Sequence, residues 1–424
     1  MDVRKLILPI LFLSLSACDK KKDLSSVTDS ANKQDSGACD SQSLVRTRFI
    51  ISYEDGRYET VLAENLDQLK NDFVAPRLQE IKRVEYDVRL QINSIPTQGT
   101  VSESSAESSD WGSAIVQAPA VWNQGILGQG VKVAVVDAMV DYSHPQIQPR
   151  LSVNESELNG KAGVDDDGNG LIDDVYGWDF LNQVPEPKIT NTENMHGTHV
   201  AGIILADHET GNVPGMAPKA ELIPANFMDQ DGSGSVADAI PAIKYAVSRG
   251  ARIINASWGG GCSDTLREVI QQIGQGEKGV LFVAAAGNDS FDYDHLPTSY
   301  FSYPAVFNLS NQITVASSSA DDLLSYFSNR SYSLVHIAAP GSNIRSTVPH
   351  ISDSSGSGYL SGTSMAAPFV SGAAALLWSA KPKATVAQIR QALLASVDKK
   401  PVKVSTQGRL NVLRALDEIR RIAP

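Results

Sequence analysis

From residue 111 onward the sequence predicts an α/β fold, a mostly parallel central sheet with helices on both faces. Three observations predict it. Short apolar runs of strand length recur at 131–136 (VKVAVV), 221–227 (ELIPANF), 252–256 (RIINA) and 279–285 (GVLFVAA), and each stops at a polar or Gly-rich loop. Stretches of helical length stand between them, the clearest at 235–249, and this alternation is the pattern of parallel sheets. The composition agrees: 424 residues with 42% hydrophobic and 20% charged content can bury a large core. Ligand sites in such sheets lie beyond the carboxyl ends of the strands, and Asp137, Ser257 and Asn288 each fall just past one.

The part before residue 111 reads in four pieces. In residues 1–18, Arg4 and Lys5 precede an apolar run at 6–15 that closes on Leu15-Ser16-Ala17-Cys18, a secretory signal too short to span a membrane. Those last four residues resemble the bacterial lipobox, which implies that Cys18 becomes a lipid-modified N-terminus held on a membrane of the bacterial cell envelope. Residues 19–43 offer little to bury and read as a disordered tether. Residues 44–95 read as a small α/β unit, with a strand at 47–53 (TRFIISY), a helical stretch at 62–81 and an alternating strand at 83–92 (RVEYDVRLQI). Residues 96–110 form a Ser-rich linker open to proteolysis, and 111–424 make up the main domain. The net charge of −12 argues against a nucleic-acid partner, whose phosphates demand excess Lys and Arg.

A nucleophile is sought first. Ser364 lies in the turn Gly362-Thr363-Ser364-Met365-Ala366, just before a helical run at 366–380, where the helix N-terminus and a backbone N–H favour a developing oxyanion. All 7 histidines precede it, so the Ser, acid, His order of α/β-hydrolases does not apply. The order His, Asp, Ser belongs to paired β-barrels, which the alternating pattern contradicts; Asp, His, Ser fits Asp137, His196 and Ser364.

The segments VAVVDAMVDYSHP (133–145), HGTHVAG (196–202), SWG (257–259), AAAGN (284–288), SGTSMAAP (361–368) and GRLNV (408–412) resemble, in this order, the subtilisin-like serine proteases, or subtilases. The resemblance covers 111–416 and implies a three-layer subtilisin-like fold. It also assigns roles: Ser364 as nucleophile, His196 as general base and acid, and Asp137 as orienter of the imidazole. Asn288 and the Ser364 N–H become the oxyanion donors, and Ser257, Trp258 and Gly259 the strand that pairs with substrate backbone. Residues 44–95 resemble a shortened propeptide that folds against the catalytic domain. The family has Ser or Thr and then Gly after the catalytic Asp, whereas this chain has Ala138-Met139, which removes a hydroxyl near the carboxylate and adds bulk.

Two further features bear on cofactors. His196 and His199 are spaced i, i+3 with no Glu between them, unlike the H-E-x-x-H of zinc peptidases, so zinc is not expected. The acidic stretch 165–174 reads as an EF-hand-like loop with Asp165, Asp167, Asn169, the Leu171 carbonyl and Asp173 as ligands, and similar subtilase inserts bind Ca²⁺. Its twelfth position is Tyr176 rather than Glu. No organic cofactor is expected. Of the 3 cysteines, Cys39 and Cys262 remain once Cys18 is lipidated, and either a disulfide or two free thiols is compatible with export.

The expected protein is a monomeric, exported and lipid-anchored serine endopeptidase that acts on protein or peptide substrates. Its partners are its own propeptide and the membrane, with release after processing in the linker. The competing reading is a catalytically silent lipoprotein that binds peptide strands in the same cleft.

Overall fold

Residues 22–35, 43–92, 110–186, 189, 195–350 and 356–423 are described in a computed structural model. Cys18 and the linker up to residue 109 lie outside the described residues.

Order begins earlier than composition predicts. Leu24–Asp35, within the expected tether, is a helix (α1). Its polar sequence hides one stripe, Val27, Thr28, Ala31 and Gln34, and all four side chains are buried. The stripe docks on the third of three antiparallel strands, β1 (Leu44–Tyr53), β2 (Tyr58–Leu62) and β3 (Ile81–Gln91), paired in the order β2-β1-β3. Between β2 and β3 the expected helical stretch is present as three short turns, Leu66–Leu69, Lys70–Val74 and Ala75–Arg77.

The main domain holds a nine-stranded sheet. Its centre is six parallel strands: β4 (Lys132–Asp137), β5 (Glu221–Asn226), β7 (Ile253–Ala256), β9 (Leu281–Ala285), β10 (Gln312–Ser318) and β11 (Ile337–Pro340), in the order β11-β10-β9-β7-β4-β5. Burial on both faces explains why these strands read as continuous apolar runs. Along β4 the side chains alternate: Val133 and Val135 join one core with the helices α2 (His196–Leu205) and α5 (Thr363–Ala380). Ala134 and Val136 join the other, with α3 (Val236–Ser248) and α4 (Asp264–Ile273). This is the three-layer subtilisin-like architecture that the sequence predicts. Among the described residues no helix is long and apolar enough to cross a membrane.

β3 joins the two units. Its last residues pair antiparallel on one side with β6 (Ser233–Ser235) and on the other with β8 (Gly259–Gly260), so the N-terminal unit ends as a strand inserted between two edges of the main domain.

Candidate active site

β4 ends at Asp137, which is fully buried, and α2 starts at His196. Gly197 allows the two to meet: a Cβ there would lie 2.2 Å from the Ala138 carbonyl oxygen. His196 Nδ1 consequently sits 2.6 Å from Asp137 Oδ1, an oxygen that also accepts the Ala138 N–H at 2.7 Å. With its Nδ1 proton directed at the carboxylate, the neutral ring leaves Nε2 as the basic nitrogen. Both His196 Nε2 and Asp137 Oδ2 are buried and have no hydrogen-bond partner among the described residues. The hydroxyl missing at Ala138 therefore has a visible counterpart in the bare Oδ2.

Ser364 is the second residue of α5 and is almost wholly buried. Its Oγ donates not to His196 but to the Ser257 carbonyl, at 3.1 Å. Asn288 follows β9 through Gly287, whose φ of +103° suits glycine. The Asn288 Oδ1 accepts both the N–H and the hydroxyl of Thr363 at 2.9 Å, which turns its Nδ2 toward Gly362, 3.3 Å from where a Cβ would stand. An amide donor thus lies beside the start of α5, where backbone N–H groups have no intrahelical partner.

The segment 257–259 divides. Ser257 lies behind Ser364. The Trp258 indole is fully buried between Phe227 and Phe282, with Nε1 donating to the Val136 carbonyl at 2.7 Å, so its side chain belongs to the core rather than to a substrate pocket. Gly259 and Gly260 carry the strand edge, and a Cβ on Gly260 would meet the Arg89 carbonyl at 2.3 Å. The opposite edge, β6, reads in the sequence only as a Gly-rich turn; the signal for it was the Gly232-Ser233-Gly234 tripeptide, whose small residues admit a neighbouring strand. Met139 lines a cavity of about 450 Å³ with Leu181, Val184, Met228, Glu186 and Asp229.

Two of the expected ligands in the acidic loop come together in a cluster of carboxylates. Asp165 and Asp167 are joined by Glu157, from the short helix Glu155–Leu158, with ligand oxygens within 4.8 Å of one another. Asp173 accepts the Gly163 N–H at 2.9 Å and Asn169 Oδ1 the Leu171 N–H at 2.7 Å, while Glu157 Oε2 accepts the N–H of Asp173 itself at 3.0 Å. The N–H of Gly170, first among several backbone donors, holds the Asp165 carboxyl below its usual range. Hard oxygen donors of this kind suit Ca²⁺. His199 donates from Nε2 to the carbonyls of Ile344 and Gly358 at 3.0 and 3.2 Å, and burial pushes its pKa down to about 3. It takes no part in a metal group with His196 among the described residues.

With this geometry in view, comparison with known proteins defines the class. The profile of the Subtilase family matches residues 128–413, more than half of the chain. The chain is 39% identical over 268 residues to the Major intracellular serine protease of Bacillus subtilis (strain 168), covering 62% of this chain and 73% of that protein. It is 35% identical over 291 residues to Subtilisin BL of Lederbergia lenta, with 68% and 91% covered. To Subtilisin-like protease 1 of Plasmodium vivax it is 33% identical over 306 residues, with 68% and 47% covered, so it spans about half the length of that relative. The chain belongs to the subtilase family, the subtilisin-like serine proteases.

Proposed function

We propose that the protein is an exported, lipid-anchored serine endopeptidase that cuts itself once and is first covered by its own N-terminal unit. One observation carries the reading: a buried imidazole with Nδ1 2.6 Å from a buried carboxylate and Nε2 unoccupied, on a helix packed against the one that bears Ser364. A substrate strand adds between β6 and β8, as β3 does here. The Ser364 hydroxyl turns from the Ser257 carbonyl to His196 Nε2 and gives up its proton there as Oγ attacks the peptide carbonyl. Asn288 Nδ2 and the Ser364 N–H hold the oxyanion, and Asp137 stabilises the imidazolium. His196 then delivers its proton to the leaving amine, and water releases the acyl group by the reverse route.

Self-processing is supported by the strand register. Leu90 faces Gly260 and Gln91 faces Gly259, and Ile92 N–H donates to the Gly232 carbonyl at 2.8 Å. Counted on by two positions, that register would assign residue 93, which lies outside the described residues, to Ser257, the holder of the Ser364 hydroxyl. The bond cut would then be Asn93–Ser94, just before the linker. Calcium at Glu157, Asp165 and Asp167 would neutralise clustered charge and stiffen the loop. The lipid anchor at Cys18 is supported by its sequence motif.

Labelling of the processed chain, reduced with dithiothreitol and diluted, by a fluorophosphonate probe tests the activity. Labelling lost in Ser364→Ala is expected; equal labelling of both, or none of the processed wild type, would leave the silent peptide-binding reading.

A further inference from the structure

Cys262 is half-buried and disulfide-bonded. The chain has 3 cysteines, and the other two, Cys18 and Cys39, both precede β3. Whichever of them is the partner, the bond crosses the linker and ties the N-terminal unit to the main domain independently of the backbone. Cys18 and Cys39 lie outside the described residues, and two contacts of described residues favour Cys39. Gln34 Nε2 donates to the Cys262 carbonyl at 3.1 Å, and a Cβ on Gly261 would fall 2.1 Å from Ser43 Oγ. The chain thus leaves the neighbourhood of Cys262 at residue 34 and is back beside it at 43.

The bond sits beside a group of polar contacts between the two units. Cys262 immediately precedes Ser263, the N-cap of α4, and the start of that helix is capped from the other unit: Glu85 accepts the N–H groups of Asp264 and Thr265 at 2.7 and 3.0 Å and the Ser263 hydroxyl at 3.1 Å. Arg83 and Lys82 pair with Glu268 one turn further on. Asp87 accepts the Ala237 N–H at the start of α3.

We propose that the Cys262 disulfide is a leash that outlives backbone cleavage, keeping β3 in the substrate groove and the lipid anchor on the enzyme until the bond is reduced. The inhibitory consequence rests on the proposed function; the linkage does not. A severed but leashed unit faces its groove at an effective concentration on the order of millimolar, so dilution does not release it. A dithiol supplies the two electrons and two protons that return both cysteines to thiols and itself becomes a disulfide. The N-terminal unit then leaves on dilution, as an unlinked fragment would.

The linkage is tested on full-length Ser364→Ala carrying a site-specific protease sequence in the linker. After cutting, a denaturing gel without reductant should show one band of uncut mass, and two with dithiothreitol. Cys262→Ser should give two bands under both conditions, and Cys39→Ser, a second variant in case that one misfolds, should do the same. Two bands from the parent protein without reductant would overturn the leash. The inhibitory consequence is read in processed wild type diluted to nanomolar concentration: dithiothreitol should raise hydrolysis of a fluorogenic peptide at least about tenfold, and Cys262→Ser should start at the raised level. Equal activity of both proteins with and without reductant would overturn it. If every sample is inactive while the gel shows the linkage, the peptidase reading fails and the covalent leash stands.

Discussion

Ser364 and Ser257 exchange hydrogen bonds: Ser364 Oγ donates to the Ser257 carbonyl at 3.1 Å, and Ser257 Oγ donates to the Ser364 carbonyl at 2.9 Å. The second bond exists because of a residue further along α5. In an unbroken helix the Ser364 carbonyl would accept the N–H of residue 368, but Pro368 has none. Ser257 fills that vacancy and is itself held by Asn255 Nδ2 at 2.9 Å, whose Oδ1 accepts the Ser371 hydroxyl at 2.8 Å. The start of α5 is thereby fixed to the end of β7 from behind. In Ser257→Ala a buried carbonyl and a buried amide lose their partners, at about 1–3 kcal/mol. A lower melting temperature and roughly a tenfold fall in kcat, with KM little changed, are expected; unchanged kcat in a folded variant would refute the positioning role.

Ala138→Ser should work in the other direction. A hydroxyl there can donate to Asp137 Oδ2, which is bare among the described residues. One net hydrogen bond of about 0.5–1.4 kcal/mol corresponds to a rise in kcat of about twofold to tenfold. Steady-state kinetics that show no gain, or a loss, would mean that Asp137 needs no second restraint.

What could be read in the sequence, and what could not, divides along a physical line. Asp137, His196, Asn288 and Ser364 sit where a strand ends or a helix begins, and each is flanked by residues that the local backbone requires, such as Gly197 under the Ala138 carbonyl. Those constraints are local and leave short motifs. The Ser257–Ser364 exchange joins positions 107 apart and leaves none. Glu157 escaped because it reaches the acidic loop from a separate helix rather than from the loop's own spacing. Helix α1 escaped because its stripe is too sparse to form alone and is stabilised by docking on β3. The side chain of Trp258 is open in the sequence for a related reason: alternation along a strand gives two faces, and only packing against Phe227 and Phe282 decides which face is core.

The calcium proposal separates two ligand sets. If Glu157, Asp165 and Asp167 hold the ion, excess chelator should lower the melting temperature by several degrees, because loss of a ligand bound only to the folded state removes RT ln(1 + [L]/Kd). Glu157→Gln should abolish that difference, and Asp173→Asn, whose carboxylate is engaged with Gly163, should retain it. The opposite pattern would restore the EF-hand-like arrangement, and no chelator effect on the wild type would remove the site.

Processing gives a prediction at the level of one bond. N-terminal sequencing of the large fragment, isolated under reducing conditions, should begin at Ser94, and Ser364→Ala and His196→Ala should stay uncut. The expected loss is about a million-fold in kcat for either residue, a magnitude established on subtilisin rather than derived from this chain. A start within 97–111 would show that the β3 register is not the register of cleavage, and processing of Ser364→Ala at the wild-type rate would show that another protease makes the cut.

Stability should fall with acid before the carboxylates titrate. Burial pushes both His199 and His336 down to about 3. The hydrogen bonds at His336 show why: Nδ1 accepts the Thr314 N–H at 2.8 Å and Nε2 donates to Asn308 Oδ1 at 3.0 Å, so a second proton on Nδ1 would point at a donor. Unfolded, each ring titrates near 6.5. Between that value and about 3 the unfolded chain binds a proton that the folded one refuses. Stability is therefore level above about pH 7 and lost as pH falls through 6.5, by up to about 1.4 kcal/mol per pH unit for each histidine. Melting curves of full-length Ser364→Ala should be superimposable at pH 7.5 and 8 and shift down steadily from pH 6.5 to 5. His336→Gln, whose amide can offer both an acceptor and a donor, should lessen that slope. A melting temperature constant down to pH 5 would mean that the buried rings accept protons in place, by water entry or local opening, contrary to the closed surroundings described for both.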